Sequence, residues 1–339
     1  MSVTEPPVRI EDVARAAGVS ITTVSHALSG KGRLAEATRE RVRAKAGELG
    51  YRPNAAAQSL AGGKTGILGT VVSAPGDAPI TFTEIDYYVE LMNAATRAAV
   101  ERGYALVLAP STAGHELLGR VPLDGVIVID PAEGDLTLGA LRRRGTPIVF
   151  VGRDPHGTSA DLVVENDRRT GTRTVLDHLI AEGADHVGIL TLRTFESFTE
   201  DCLAEYAAWC AERGEEPSTL VAPVEPTAGP SAFRAIAESF LDGEGRPRGV
   251  FCLYERLAVE LLGAARDRGL RVPGDLRIAT ISEMGWAEST DPMLTTLVIN
   301  QDLLGATAAD LLADLVEGGP AVSVRDVPTR LVVRGSSCS

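Results

Sequence analysis

The stretch ITTVSH, Ile21 to His26, sets three hydroxyls and an imidazole close together on one potential helix. Such short hydrogen-bonding groups can meet base edges in a major groove or hold phosphates beside it. Reactive chemistry is thin elsewhere. The five histidines (His26, His115, His156, His178, His186) show no HxxxH or His/Cys spacing, so no metal site is expected. The four cysteines (Cys202, Cys210, Cys252, Cys338) form no CxxC pair and read as free thiols of a reducing cytosol. GGKT near residue 64 imitates a phosphate loop, but Gln58 stands where GxxxxGK[ST] needs glycine. There is no GxSxG elbow, and no GxGxxG follows the first strand of either half of the body. The expectation is a binding protein without cofactor, not an enzyme.

The elements that must carry ITTVSH are legible around it. Ile10, Val13, Ala14 and Ala17 form one apolar stripe on a first helix. Gly18 permits a sharp reversal, Val19 plugs the joint and Ser20 suits the N-cap of the second helix. There Val24, Ala27 and Leu28 turn inward, leaving Ile21, Thr22, Ser25 and His26 outward; Thr23, Ser25 and the helix start can take phosphates. Helix pairs with this pattern also occur in proteins that bind no DNA. EATRERVRAKAGELGY predicts a third helix with Val42, Ala46 and Leu49 on one face, ended by Gly50. Its Arg39, Arg41, Arg43 and Lys45 suit phosphate contact or a plain solvated face. After Pro53, the Ala-rich run Asn54 to Ala61 is broken by Gly62 and Gly63. A helix so short falls below the ~12–15 residues that stand alone, so it should form only when docked. Leu60 would then serve as a wedge between base steps in a minor groove.

Charge separates this head from the rest. The chain carries 46 acidic against 33 basic residues, a formal −13. Residues 1–66 hold ten Lys/Arg and six Asp/Glu, a surplus of four cations; the remainder holds 23 against 40. A basic head on an acidic body is the asymmetry expected when only the head meets phosphate. At 339 residues, 44% of them hydrophobic, the chain is long enough for several buried cores. With no apolar leader and no run of ~18 apolar residues, a cytoplasmic protein without membrane contact is expected.

In the body, ILGTVVSA, YALVLAP, DGVIVID and TPIVFVG read as buried strands between amphipathic helices, and HVGILTL, TLVAP, GVFCLY and LRIATI form a second set. The alternation predicts an α/β body of two doubly wound parallel sheets.

VRIEDVARAAGVSITTVSHALSG, the TRERV of helix three and GYRPNAAAQSLAGGKTGILG together resemble the lactose-repressor (LacI/GalR) family of bacterial transcription regulators, with a recognition helix similar to its purine-repressor branch. The likeness continues through DGVIVID, TPIVFVGRD, DRRTGTRTVLDHLI, GLRVPGDLRIATI, DPMLTTLVINQDLLGATAADLL and VPTRLVVRGSS, essentially the whole chain. It implies a helix-turn-helix head over 1–52, a hinge helix and linker over 53–65, and a periplasmic-binding-protein-like core over 66–339. Lobe one would take approximately 66–162 and 293–326, and lobe two 163–292 and 327–339, with crossings near Asp161–Glu165, Asp291–Leu294 and Asp326–Pro328. Carried over by position, Ile21, Thr22 and His26 read bases, Thr23, Ser25, Arg33 and Asn54 contact the backbone with Ser20 beside them, and Leu60 intercalates. Ala35 departs from the hydroxyl cap usual for helix three. The resemblance further implies a homodimer on a pseudo-palindromic operator with a central CG step, repression by default, and a small-molecule effector between the lobes. With no heptad tail after the core, dimerisation through the cores is expected and tetramers are not.

The effector positions carried over are Tyr87, Arg153, Cys202, Phe251, Tyr254, Glu255, Ser282 and Trp286. Sugar-binding members usually place an arginine where Cys202 stands, asparagine or glycine and aspartate at Tyr254 and Glu255, and an aspartate at Ser282. Tyr87 and Phe251 match ring-stacking positions, with Tyr254, Trp286, Phe195 and Phe198 nearby. This predicts an aromatic-lined site and an effector that is not an ordinary sugar. The alternatives are that the rings pack the lobes, that small-molecule control has been lost, or that the chain is a cytosolic sensor.

Overall fold

The structure, a computed structural model, describes residues 8–29, 32–51, 64–73, 86–110, 114–132, 134–154, 156–192, 197–223, 230–243, 245–282, 285–320 and 322–338. The chain divides into two compact units, Met1–Gly66 and Ile67–Ser339.

The regular elements among the described residues of the first unit are helices: α1 (Ile10–Ala17), α2 (Ile21–Ser29) and α3 (Glu36–Glu48). Val13, Ala14, Ala17, Val24, Ala27, Val42 and Ala46 make its core, with Ile10, Val19, Leu28, Leu34 and Tyr51 against it. These residues are small, so the helices approach closely and little apolar area holds them. Gly18 ends α1 at φ 66°, where a side chain would be strained. Leu49, expected on the inner face of α3, is 38% exposed instead, because it is the C-cap, where the helical repeat that buries Val42 and Ala46 ends.

The second unit holds two six-stranded sheets. The first runs β11 (Val324–Val327), β5 (Leu162–Asn166), β4 (Ile148–Val151), β3 (Gly125–Ile129), β1 (Ile67–Val72), β2 (Ala105–Ala109), all parallel. The second runs β12 (Arg330–Val332), β10 (Thr295–Val298), β9 (Arg277–Ser282), β8 (Gly249–Cys252), β6 (Val187–Leu192), β7 (Thr219–Ala222), parallel except for β12 at its edge. The intervening helices are α4 (Asp86–Glu101), α5 (Gly114–Arg120), α6 (Leu136–Arg144), α7 (Arg168–Ala181), α8 (Ser197–Arg213), α9 (Pro230–Asp242), α10 (Glu255–Asp267) and α11 (Gln301–Glu317), with a 3₁₀ turn at Trp286–Ser289. Central strands β3 and β6 are buried throughout, as unbroken apolar runs require when helices cover both faces.

Two of the three lobe edges lie a few residues later than expected, and the third falls within the expected Asp326–Pro328. β5 belongs to the first sheet and β10 to the second, so the chain crosses after Asn166, after Val298 and after Val327. The short polar strands LVVEN and TTLV carry little apolar signal, and each prolongs its own sheet before the crossing. The crossings are tied together. Asn166 Nδ2 donates to the Ile299 carbonyl at 2.6 Å, and Asn300 Nδ2 to the Pro328 carbonyl at 2.7 Å. All three leave from C-terminal strand ends, so those ends of the two sheets face each other.

Candidate nucleic-acid interface and interlobe cleft

In the head, Ser20 caps α2: its Oγ accepts the Thr23 N–H at 3.1 Å and lies 2.8 Å from Thr23 Oγ1. The cap fixes the helix start and satisfies a donor that would otherwise be orphaned. With Val24 and Ala27 fully buried, Ile21, Thr22, Ser25 and His26 share the exposed face, and Thr23 is half-buried at its margin. Ile21 is 46% exposed, a large apolar side chain left in water on an otherwise polar face, suited to a thymine methyl. Arg33, Arg41 and Arg43 are exposed and form no ion pair among the described residues, whereas Arg39 pairs with Glu36 at 3.5 Å and Lys45 with Glu48 at 2.6 Å. Helix α3 starts at Ala35 with extended backbone and no side-chain cap. Asn54 and Leu60 lie outside the described residues.

In the core, strand order reverses between β1 and β3 in one sheet and between β6 and β8 in the other. Such switch points open a crevice beyond the C-terminal strand ends. Ser73 follows β1 and Asp130 follows β3. Ser73 Oγ donates to Asp135 at 2.5 Å and accepts the Ala132 N–H at 3.0 Å, fixing the loop that carries Asp130. Asp130 is half-buried: loss of water around it pushes its carboxyl up to about 6, although a hydrogen bond with Tyr88 and the charge of Arg168 pull the other way.

The lobes meet through ions. Arg153, after β4, pairs with Asp201 on α8 of the other lobe and lies 3.3 Å from Glu165. Arg168, in the first turn of α7, pairs with Glu165 on β5 and lies 3.1 Å from Asp201. Ser197 Oγ, at the start of α8, accepts from the Arg153 backbone N–H at 3.1 Å and from Arg168 Nη1 at 3.2 Å. Burial works against the charge on Arg153, but Asp201 and Glu165 outweigh it and raise its pKa. Burial raises the Glu165 carboxyl, against the pull of Arg168 and Arg153.

The expected effector residues separate into two groups. Arg153 is in the cleft cluster, Tyr87 packs edge-on to Tyr88 at 5.1 Å, and Tyr254 is half-buried at the start of α10. The Trp286 ring lies 5.3 Å from the Arg256 guanidinium, which also covers Phe233. Ser282 ends β9, paired with Val298; its side chain lies outside the described set, as does Phe195. Three of the expected residues lie in the interior. Phe251 and Cys202 are fully buried in one core cluster with Val175, Tyr206 and Trp209, because β8 and α8 turn these positions into lobe two. Burial pushes the Cys202 thiol up to about 12, so it is a neutral packing group. Glu255 is also fully buried, and its Oε1 accepts the Ala287 N–H at 2.5 Å, holding the 3₁₀ turn. The cluster that joins the lobes is ionic. Sequence reading missed Asp130, Glu165, Arg168, Ser197 and Asp201. A charge directly after the all-apolar strand β3 was the available signal for Asp130.

Comparison with known proteins agrees with this geometry. Residues 9–54 match the bacterial regulatory proteins of the lacI family, and residues 176–337 match a periplasmic binding protein-like domain. The transcriptional regulator CelR of Thermobifida fusca is 31% identical, with 96% of this chain and 97% of CelR aligned. The transcriptional repressor PurR of Photobacterium profundum is 27% identical over 91% of this chain and 92% of its own. Among solved structures, a lac repressor dimer bound to operator and the anti-inducer ONPF superposes with a TM-score of 0.80 at 23% identity, covering 98% of this chain and 100% of that one. A CelR–cellobiose complex gives 0.70 at 26%, covering 97% and 99%. A three-helix head with an exposed polar second helix, a two-lobed core crossed three times, and a relative of that identity across the full length lead to one conclusion: the chain belongs to the lacI family of bacterial regulatory proteins.

Proposed function

We propose that this protein is a cytoplasmic, homodimeric repressor that reads a pseudo-palindromic operator and is controlled by a small molecule between its lobes. The carrying observation is the exposed face of α2, where Ile21, Thr22, Ser25 and His26 stand together on a capped helix. Arg33, Arg41 and Arg43 supply unpaired cations for phosphates, and Asn54 and Leu60 extend the interface through the hinge. Ligand in the cleft changes the lobe angle and thereby the cost of ordering the paired hinge segments on DNA. Leu60→Ala tests this coupling: specific affinity should fall while weak, salt-sensitive binding remains. Equal loss of both would contradict the wedge.

The effector is not an ordinary sugar in this reading. Two positions where sugar-binding relatives keep polar anchors, Cys202 and Glu255, are committed to the interior. Titration calorimetry against a sugar panel, cellobiose included, tests it; micromolar binding of a simple monosaccharide would refute it. One observation favours a second reading, loss of small-molecule control. The pairs Arg153–Asp201 and Arg168–Glu165 join the lobes with the protein's own charges. A chain whose operator affinity no metabolite extract alters would support that reading over the first.

A further inference from the structure

His26 is an exposed side chain whose ring has a definite neighbour. A Cβ built on Gly32 would lie 2.7 Å from His26 Nδ1, 3.2 Å from Cγ and 3.4 Å from Cε1. The imidazole therefore rests against Gly32, in space that the side chain of any other residue there would fill. Gly32 also has φ +78°, a conformation L side chains rarely adopt, so its local backbone and its missing side chain serve the same contact. Two other left-handed glycines of the head, Gly18 and Gly50, have nothing within 4 Å of a built Cβ.

We infer that Gly32 is a positioning residue for base reading: it seats the His26 imidazole with the Nδ1 edge against the loop, leaving Nε2 to face base edges. A ring nitrogen so held can meet the N7 or O6 acceptors of a purine as a donor. An unsupported imidazole on a helix surface would sample several rotamers and lose discrimination in proportion, since a reading group must be held by its neighbours to be selective. The inference rests on the reading of α2 as the operator-reading helix.

The test uses the full-length protein and selection from randomised half-sites, followed by affinities for the four base pairs at the position where His26→Ala loses preference. Gly32→Ala should lose about tenfold discrimination at that position and keep its preferences elsewhere. In a His26→Ala background it should add nothing. Gly50→Ala, with φ +67° and an open environment, carries the backbone strain without the contact and should retain discrimination. Gly32→Asn brings the same Cβ with a residue that tolerates positive φ, and replaces Gly32→Ala if that variant unfolds. Even weakening of all sequences, unchanged discrimination, or the same loss without His26 would overturn the inference. Absence of any selective binding by the parent protein would instead remove the operator-reading function itself, and this inference with it.

Discussion

Arg153 and Asp201 stand on opposite lobes and form an ion pair, and Arg168 lies 3.1 Å from the same carboxylate. One acid thus holds two guanidiniums, Arg153 from across the cleft and Arg168, only 5% exposed, from its own lobe. Removing the charge leaves Glu165 as the one carboxylate still paired with both cations. Asp201→Asn should destabilise the core by about 3 kcal/mol and let the lobes separate. Urea unfolding reads the first effect and the radius of gyration from X-ray scattering the second. An unchanged urea midpoint would mean that the pair holds nothing together.

Asp130 makes stability depend on pH in a direction opposite to the common carboxylate case. Its folded pKa, about 6, lies above the ordinary value of 3.8, so the fold takes up a proton before the unfolded chain does. Stability is therefore lost as pH rises from about 4 to about 6, by on the order of 3 kcal/mol, and stays lower above that window. Asp130→Asn should abolish this segment of the profile and be at least as stable as the parent at pH 7. Denaturant midpoints at pH 4, 5, 6 and 7 for both proteins check it; parallel profiles would contradict it.

Ala35 precedes α3 with φ −62° and ψ 138°, the backbone of an N-cap whose side chain offers no acceptor. Ala35→Ser should add about 1 kcal/mol to the head by capping an orphaned N–H. Thermal melting of the head transition reads the gain.

Gly305 on α11 marks the closest approach of two helices. A Cβ there would overlap the carbonyl oxygen of Leu91 and lie 3.1 Å from the Ala95 amide nitrogen on α4. Gly305→Ala should force α4 and α11 apart at a cost of about 3 kcal/mol, despite alanine's better helix propensity. A stabilised variant in urea would show that the helices can slide without cost.

The parts legible in the sequence were those with strong local periodicity. The stripe Val13, Ala14, Ala17 and the buried Val24 and Ala27 follow from helical spacing, and β1 to β4 and β6 to β9 from their apolar runs. Strands β5, β10, β11 and β12 were not legible as sheet members, because they are short and half polar and their pairing partners lie far along the chain. The cleft was read less well than the head for a related reason. Tyr87 and Phe251 belong to ring positions by resemblance, yet Phe251 stands on a central strand whose inner face is core. Arg168 and Asp201 look like ordinary first-turn helical charges until the crossing after Asn166 brings α7 and α8 to the C-terminal end of the other sheet. Their meeting is a property of topology.

Sequencing the genomic fragments retained by the full-length protein at physiological salt tests the operator-reading claim most directly. Recovery of a shared pseudo-palindrome, lost when His26 and Thr22 are replaced together, is the predicted result. Retention of unrelated fragments in proportion to length, or retention that the double replacement leaves unchanged, would contradict it.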